Sequence, residues 1–357
     1  WPLLQRGSAL PCRGVFVGLK PMRGARLRLP SGVVRSGPVW SKMDRKESLI
    51  CGCETLGKVT FAMDGVKVAR GAGGNKAPDK RGNATGWSEG AARRNRDFLM
   101  SVDGDALADP TQGEPYALSL TFGRDEFVSP LRLKVARETF FKRLRRLGMI
   151  RLHWLVEFQR DGTPHLHMLV YMPWDALAER VAGAIRQAWL EVSAFSGSAV
   201  SGQYVVPVGH LTGWKQYLAK HGIRGVRHYQ RQMPAGWEAP GRMWGKLGEW
   251  PTWSAALEVD DNTFFRFRRA LRSYRIATAR QELLTAKPCD RSAKRKSLSH
   301  ARRCLFDPRE GGSRRTAMRG SCIWMPRKLS CVILENLALE PDANVRAWED
   351  RETPPPL

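Results

Sequence analysis

Two neighbouring apolar runs, joined by a short polar turn, constrain the fold of this chain more than any other feature. Residues 151–159 and 164–171 are both rich in β-branched, aromatic and large aliphatic side chains, and the turn-forming residues 160–163 lie between them. Such a pair predicts an antiparallel β-hairpin, because so short a turn cannot carry the chain to a parallel neighbour.

The second run places two histidines on one side of the sheet. Side chains alternate along a strand, so His165 and His167 face the same way, about 6–7 Å apart, and can share one metal ion. If the turn is residues 161–163, Glu157 lies opposite His167 on the same face. A register shift of one residue would move Glu157 away. Strand histidines are also common without any metal, so both interpretations stay open.

The flanking sequence predicts a β-α-β-β-α-β order of elements. Strand-like alternation is found at 116–122 and again at 203–208, whereas amphipathic helices are predicted at 129–148 and 175–190. A further helix is predicted at 212–221. We therefore expect an α+β domain with a ferredoxin-like or RRM-like βαββαβ antiparallel sheet. The helices should pack on one face and leave the other open for a substrate.

The charge balance predicts a polyanionic partner. The 357 residues include 59 Lys and Arg against 34 Asp and Glu, a net charge of +25, which favours nucleic acid. The basic face of the first helix either tracks phosphates or is simply solvated. Candidate DNA contacts are spread along the chain, at Arg143, Arg146, Lys215, Arg227, Arg266 and Arg269.

Composition divides the chain into three regions. Residues 1–109 are basic, rich in Gly and Pro and without hydrophobic periodicity, so we expect them to be disordered. Residues 110–278 form the expected folded domain, which ends in a basic amphipathic helix. Residues 279–357 are expected to be a basic, disordered tail that binds DNA without specificity. No apolar run approaches the length of a membrane span, and the cysteines suit a cytosol-like compartment.

The helix after the fourth strand carries a tyrosine with a lysine one turn further on. Tyr217 and Lys220 are three residues apart and therefore neighbours on the helix surface. Lys220 would favour the ionised phenol or hold a phosphate beside it. An ordinary amphipathic helix with Trp214 and Leu218 in the core explains the same residues. Tyr229 lies in a basic loop and lacks this helical context.

Together these segments resemble a known family. The strand at 117–122, the pair His165-Leu166-His167 and the run 217–220 occur in the order of the three motifs of the HUH endonucleases, in particular rolling-circle replication initiators. The segment 157–165 looks like the replication-associated proteins of filamentous phages and small plasmids, and so does 241–245. The resemblance covers residues 116 to 250.

The resemblance implies a metal-dependent nickase that cuts and rejoins single-stranded DNA. A divalent Mg or Mn ion would be bound by His165, His167 and Glu157, while Tyr217, assisted by Lys220, would attack the scissile phosphate. The products would be a 5′-phosphotyrosine and a free 3′ hydroxyl. The implied partners are single-stranded or hairpin origin DNA and a host helicase and polymerase, in the cytoplasm of a bacterial host.

Two other classes of protein share parts of this pattern. A relaxase or a single-tyrosine transposase would use the same chemistry, and the motif offers one tyrosine, because position 221 is a histidine. A non-catalytic nucleic-acid-binding protein with an RRM-like fold explains the charge and the sheet but does not explain the pair His165 and His167. The position of the gene, beside an origin or beside transposon ends, discriminates the enzymes.

Overall fold

The computed structural model describes residues 57–70, 86–175, 177–220, 228–238, 240–303 and 321–339. Over these ranges the chain is α+β, with two antiparallel sheets and seven α-helices, so the predicted fold class is confirmed at this level. The strands are β1 (Gly57–Ala62), β2 (Gly65–Arg70), β3 (Glu114–Thr121), β4 (Arg151–Phe158), β5 (Pro164–Met172), β6 (Tyr204–Pro207), β7 (Trp244–Leu247), β8 (Ser254–Val259) and β9 (Ser321–Trp324). The helices are α1 (Glu89–Ser101), α2 (Pro130–Arg146), α3 (Ala178–Ser193), α4 (Leu211–Leu218), α5 (Asp261–Leu284), α6 (Arg291–Arg303) and α7 (Arg327–Leu339).

The larger sheet has five strands in the order β6-β3-β5-β4-β7, and every neighbouring pair is antiparallel. The hairpin of β4 and β5 is present, but its loop spans the five residues 159–163. Glu157 therefore pairs with His165, and Leu155 pairs with His167. The expected pairing of Glu157 with His167 is wrong by two residues. Because the displacement is even, Glu157 still shares the face of the histidines.

Helices α2 and α3 cover one face of this sheet. Phe140 of α2 meets Trp189 of α3 edge to face, with ring centroids 5.3 Å apart, and both side chains are fully buried. The predicted start of α2 is observed, since the Ser129 hydroxyl accepts a hydrogen bond from the Arg132 amide at 3.2 Å. The predicted helix at 129–148 ends at Arg146, and Leu147, directly after it, is 40% exposed.

The opposite face is not open, contrary to expectation. Helices α1 and α4 lie over it, and β4 is buried along its whole length. Asn95 of α1 ties these parts together: its amide nitrogen donates to the Leu218 carbonyl at 3.0 Å, and its amide oxygen lies 2.7 Å from His153 Nε2. The buried positions of α1 have helical spacing, but two of them, Asn95 and Arg96, are polar. Hydrophobic periodicity alone therefore did not predict this helix.

A second sheet, in the order β8-β1-β2-β9, is built from segments that are far apart in the chain. Its core consists of Val59, Val66 and Val68 from the sheet with Phe264 and Phe267 from α5. Helix α7 packs on the same core, and α6 packs against α5.

The expected disorder is therefore wrong for every described residue of the two terminal regions. The expected domain limit at 278 falls inside α5. The division of the chain into three regions stays a prediction. In the second sheet β1 and β2 form a local hairpin, but their outer neighbours β8 and β9 come from distant parts of the chain, which local periodicity does not indicate. No helix in the described part of the chain is long and apolar enough to cross a lipid bilayer.

Candidate active site

Two hydroxyl groups on β3 orient the two histidines on β5. Ser119 pairs with His167 in the ladder, and Thr121 pairs with His165. The Ser119 Oγ atom lies 2.7 Å from His167 Nδ1, and the Thr121 Oγ1 atom lies 2.5 Å from His165 Nδ1. A neutral imidazole that donates its Nδ1 hydrogen to a hydroxyl keeps its lone pair on Nε2. If each imidazole donates its Nδ1 hydrogen in this way, both Nε2 atoms can accept a hydrogen bond or a metal ion.

Sequence reasoning missed these two hydroxyl residues. The signal was available, because Ser119 and Thr121 have the same two-residue spacing as His165 and His167 on the neighbouring strand. What was missing was the register between β3 and β5, which sequence periodicity does not specify.

His165 is held in its neutral form. Burial is the largest cause that lowers the pKa of His165, His167 and Lys220 lower it as well, Glu157 opposes them, and the resulting pKa is about 3. The imidazole rings of His165 and His167 meet edge to face, with centroids 4.4 Å apart. A neutral imidazole is the form that binds a metal, so at pH 7 no proton has to leave His165 first.

Tyr217 reaches the same point from α4. Its hydroxyl lies 3.1 Å from His167 Nε2, and its ring stacks on Trp214 with centroids 4.9 Å apart and planes 15° apart. Trp214 is itself fixed, since its indole nitrogen donates to the Met168 carbonyl at 3.1 Å. The tyrosine hydroxyl is therefore placed at the histidine face by a stacked, hydrogen-bonded neighbour.

Glu157 and Lys220 complete the cluster. Lys220 Nζ lies 2.6 Å from Glu157 Oε1 and 3.9 Å from the centre of the Tyr217 ring. The other carboxylate oxygen, Oε2, lies 3.5 Å from His167 Nε2. Glu157 is almost completely buried. Five residues that are distant in sequence thus converge on one site: Glu157, His165, His167, Tyr217 and Lys220.

The donor atoms suit a divalent cation, although the arrangement is not that of a loaded metal site. Among the described residues, no three His, Cys, Asp or Glu side chains lie together as a metal-binding group. Lys220 occupies one oxygen of Glu157, and the Tyr217 hydroxyl lies against His167 Nε2. Two imidazole nitrogens and one carboxylate nevertheless form a mixed set that suits Mn²⁺ better than Mg²⁺, which prefers oxygen ligands alone.

Two of the residues expected to contact DNA are buried, so for them the expectation is wrong. Lys215 is fully buried and lies 2.5 Å from the Asp64 carboxylate. Arg266 is 7% exposed, and its guanidinium donates to the Leu337 carbonyl at 3.0 Å. Both were expected to contact DNA, but each lies on the face that packs against the smaller sheet or its helices. A buried, paired cation is not available to a phosphate.

Of the other four candidate DNA contacts, three lie in the described part of the chain and one lies outside it. Arg146 and Arg269 are exposed. Arg143 forms an ion pair with Glu191 on α3, and it shares α2 with Arg146, on the side of the sheet opposite the histidines. Arg227 lies outside the described residues.

Two other tyrosines, Tyr229 and Tyr274, are placed differently. Tyr229 is 40% exposed in a short 3₁₀ turn, with the Arg160 guanidinium 5.7 Å from its ring. Tyr274 packs against the core of the smaller sheet. By contrast, the Tyr217 hydroxyl lies 3.1 Å from His167 Nε2.

Three known proteins resemble the chain over most of their own length. A protein of Xylella fastidiosa strain Temecula1, assigned as a replication protein, is 42% identical over 213 residues, which cover 56% of this chain and 78% of that protein. A second from Xylella fastidiosa strain 9a5c, similarly assigned, is 38% identical over 273 residues, 72% of this chain and 88% of that protein. The replication-associated protein G2P of Pseudomonas phage Pf3 is 41% identical over 214 residues, 58% and 74% respectively.

Other comparisons give no match. No protein-family model matches the chain, and no solved structure matches it.

Proposed function

The chain belongs to the family of replication proteins that includes these three relatives, and on that premise we propose that it initiates rolling-circle replication. In this proposal it is an HUH-type endonuclease that nicks and rejoins single-stranded DNA at an origin, through a 5′-phosphotyrosine. The observation that carries the proposal is the 3.1 Å contact between the Tyr217 hydroxyl and His167 Nε2, beside His165 and Glu157. A nucleophile and a pair of metal-binding imidazoles meet at one point.

The larger sheet supports the same assignment. The elements β3-α2-β4-β5-α3-β6 follow one another, and their four strands are neighbours in the order β6-β3-β5-β4. We assign this unit to the ferredoxin-like βαββαβ arrangement. In that assignment the histidines lie on a central strand, where neighbours on both sides hold them in place.

The chemistry assigned to Tyr217 is a phosphoryl transfer. The phenolic oxygen forms a bond to phosphorus while the bond from phosphorus to the 3′ oxygen breaks. The phenol gives up its proton, and the departing oxygen takes one up as a 3′ hydroxyl. One phosphodiester is exchanged for another, so no ATP is needed, and the free hydroxyl can prime a polymerase.

The other residues of the site support that attack. Lys220, 3.9 Å from the Tyr217 ring, favours the ionised phenol, because a nearby positive charge stabilises the charged form. The Tyr217 hydroxyl lies 3.1 Å from His167 Nε2, which places the phenolic oxygen at the histidine face; a bound ion would take the lone pair of that nitrogen in place of the hydroxyl hydrogen. Bound at His165, His167 and Glu157, a Mn or Mg ion would supply a Lewis acid that polarises the scissile phosphate.

The test of this function is nicking by the full chain. The probe is single-stranded DNA that carries the origin of the replicon encoding the chain, with Mn²⁺ or Mg²⁺ added. We expect His165→Ala and His167→Ala to abolish nicking and leave salt-sensitive DNA binding within a few-fold, because affinity comes from Lys and Arg. His300→Ala, on the exposed surface of α6, is the matched control and should nick normally. Equal nicking in excess EDTA would refute the metal-dependent mechanism.

A further inference from the structure

A completely buried lysine lies two residues before Tyr217 on the same helix. Lys215 has no exposed surface, its Nζ atom lies 2.5 Å from Asp64 Oδ2, and it donates to the Val102 carbonyl at 2.8 Å. Asp64 belongs to the two-residue turn between β1 and β2, and Val102 caps the end of α1. One ammonium group therefore joins the tyrosine helix to the smaller sheet and to α1.

Asp64 is itself fixed in place. Its amide donates to the Met100 carbonyl at 3.0 Å, and its carbonyl accepts from the Met325 amide at 3.0 Å. The Thr212 hydroxyl, in the first turn of α4, donates to the same carboxylate oxygen at 3.3 Å. The carboxylate is thus held by the backbone on both sides and contacts α4 at two of its turns.

Stability alone is a poor explanation for this ion pair. Taking two charges out of water costs several kcal/mol per ion, and an apolar pair of similar volume is often as stable. A charged pair does impose one geometry, because the ammonium group must lie at hydrogen-bond distance from both the Asp64 carboxylate oxygen and the Val102 carbonyl oxygen. Helix α4 is only eight residues long, so its own backbone bonds fix its position weakly.

We propose that Asp64 and Lys215 are positioning residues for the nucleophile. They set the position of α4, so that the Tyr217 hydroxyl meets the scissile phosphate in line. The smaller sheet, built from both terminal regions, is in this proposal a part of the catalytic unit rather than a separate module. The inference rests on the proposed function, because it takes Tyr217 as the attacking group.

The first experiment measures single-turnover formation of the protein–DNA adduct at saturating origin DNA. Asp64→Asn and Lys215→Met should each slow it about ten- to hundredfold, because a displacement near 1 Å has that effect on an aligned reaction. The dissociation constant for DNA should stay within about twofold, since Lys215 does not reach the surface. The double variant should be no slower than the slower single variant, because both remove the same contact.

The second experiment measures amide hydrogen exchange by mass spectrometry. Both single variants should accelerate exchange in peptides that cover α4 while peptides that cover β3 and β5 keep their protection. Glu282→Gln, which removes an exposed ion pair to Lys294, is the matched control and should change neither the rate nor the exchange in α4. If Asp64→Asn does not fold, Asp64→Glu keeps the charge, displaces the carboxylate and should give an intermediate loss of rate.

The outcomes separate the two proposals. If the parental protein forms adduct and both variants keep its rate, the positioning inference is wrong and the proposed function stands. If the parental protein forms no adduct, the proposed function fails, and the exchange data alone decide. Acceleration confined to α4 would then show that Asp64 and Lys215 fix the position of this helix, and either uniform acceleration over all peptides or no acceleration in α4 would overturn that part of the inference.

Discussion

Removing the hydroxyl of Ser119 should weaken metal binding at His167 without removing any proposed ligand. The Oγ atom of Ser119 lies 2.7 Å from Nδ1 of His167, and His167 is almost completely buried. In Ser119→Ala that nitrogen loses its hydroxyl neighbour in a place that water cannot easily reach. Losing this hydrogen bond costs less free energy in the metal-free protein than in the metal-bound protein. The reason is that coordination makes the Nδ1 hydrogen a stronger donor.

The magnitude follows from the type of hydrogen bond. A bond to a charged or polarised group contributes about 1.5–3 kcal/mol, against about 1 kcal/mol for a neutral pair. If the difference, about 1.4 kcal/mol, appears in the metal-bound state only, affinity for the ion falls about tenfold. Thr121→Val should have a similar effect through His165, whose Nδ1 lies 2.5 Å from the Thr121 hydroxyl.

The assay titrates Mn²⁺ and follows free ion by electron paramagnetic resonance, with single-turnover cleavage measured in parallel. We expect the half-saturating Mn²⁺ concentration to rise about tenfold in either variant, and the rate at saturating Mn²⁺ to change far less. Ser254→Ala, an exposed hydroxyl on the smaller sheet, is the control. If both variants bound Mn²⁺ like the parental protein, the hydroxyls would not orient the metal ligands and the argument would be refuted.

Two further predictions concern neighbouring groups. Lys220→Ala should slow adduct formation without abolishing it, because the cation 3.9 Å from the Tyr217 ring assists the attack but forms no bond in it; an unchanged single-turnover rate would contradict that role. Burial and the charge of Lys246 lower the pKa of His153 to about 3, so the unfolded chain binds this proton first as the pH falls from about 6.5. The free energy of unfolding should then fall by up to about 1.4 kcal/mol per pH unit between pH 6.5 and 3. Urea unfolding at pH 7 and pH 5 measures this loss, which should be smaller in His153→Gln; an equal loss in that variant would contradict it.

Local patterns predicted four of the five strands of the larger sheet, because each has its own run of β-forming residues, and the β4–β5 pair is also local in the sequence. The turn at 160–163 signals the β4–β5 hairpin, and Ser129 with Pro130 marks the start of α2. The cluster of His165, His167 and Tyr217 was expected from motif order, and the structure brings these side chains together.

What the sequence could not supply is long-range pairing. The smaller sheet joins β1 to β8 across nearly two hundred residues; β1 has β2 as a local partner, and among the described strands β8 pairs with β1 alone. Lys215 shows the same limit at one residue. Its place on an amphipathic helix was recognisable, but Asp64, the group that buries it, is distant in the chain. An exposed cation and a buried, paired cation cannot be told apart without knowing the partner.

The central claim, that Tyr217 is the nucleophile, is tested most directly by mapping the covalent adduct. The full chain is incubated with its single-stranded origin DNA and Mn²⁺, denatured in SDS, digested and sequenced by mass spectrometry. We predict a nucleotide on the peptide that contains Tyr217, and no adduct from Tyr217→Phe, which should fold and bind DNA normally. A nucleotide on Tyr229, or adduct formed by Tyr217→Phe at the parental rate, would contradict the account.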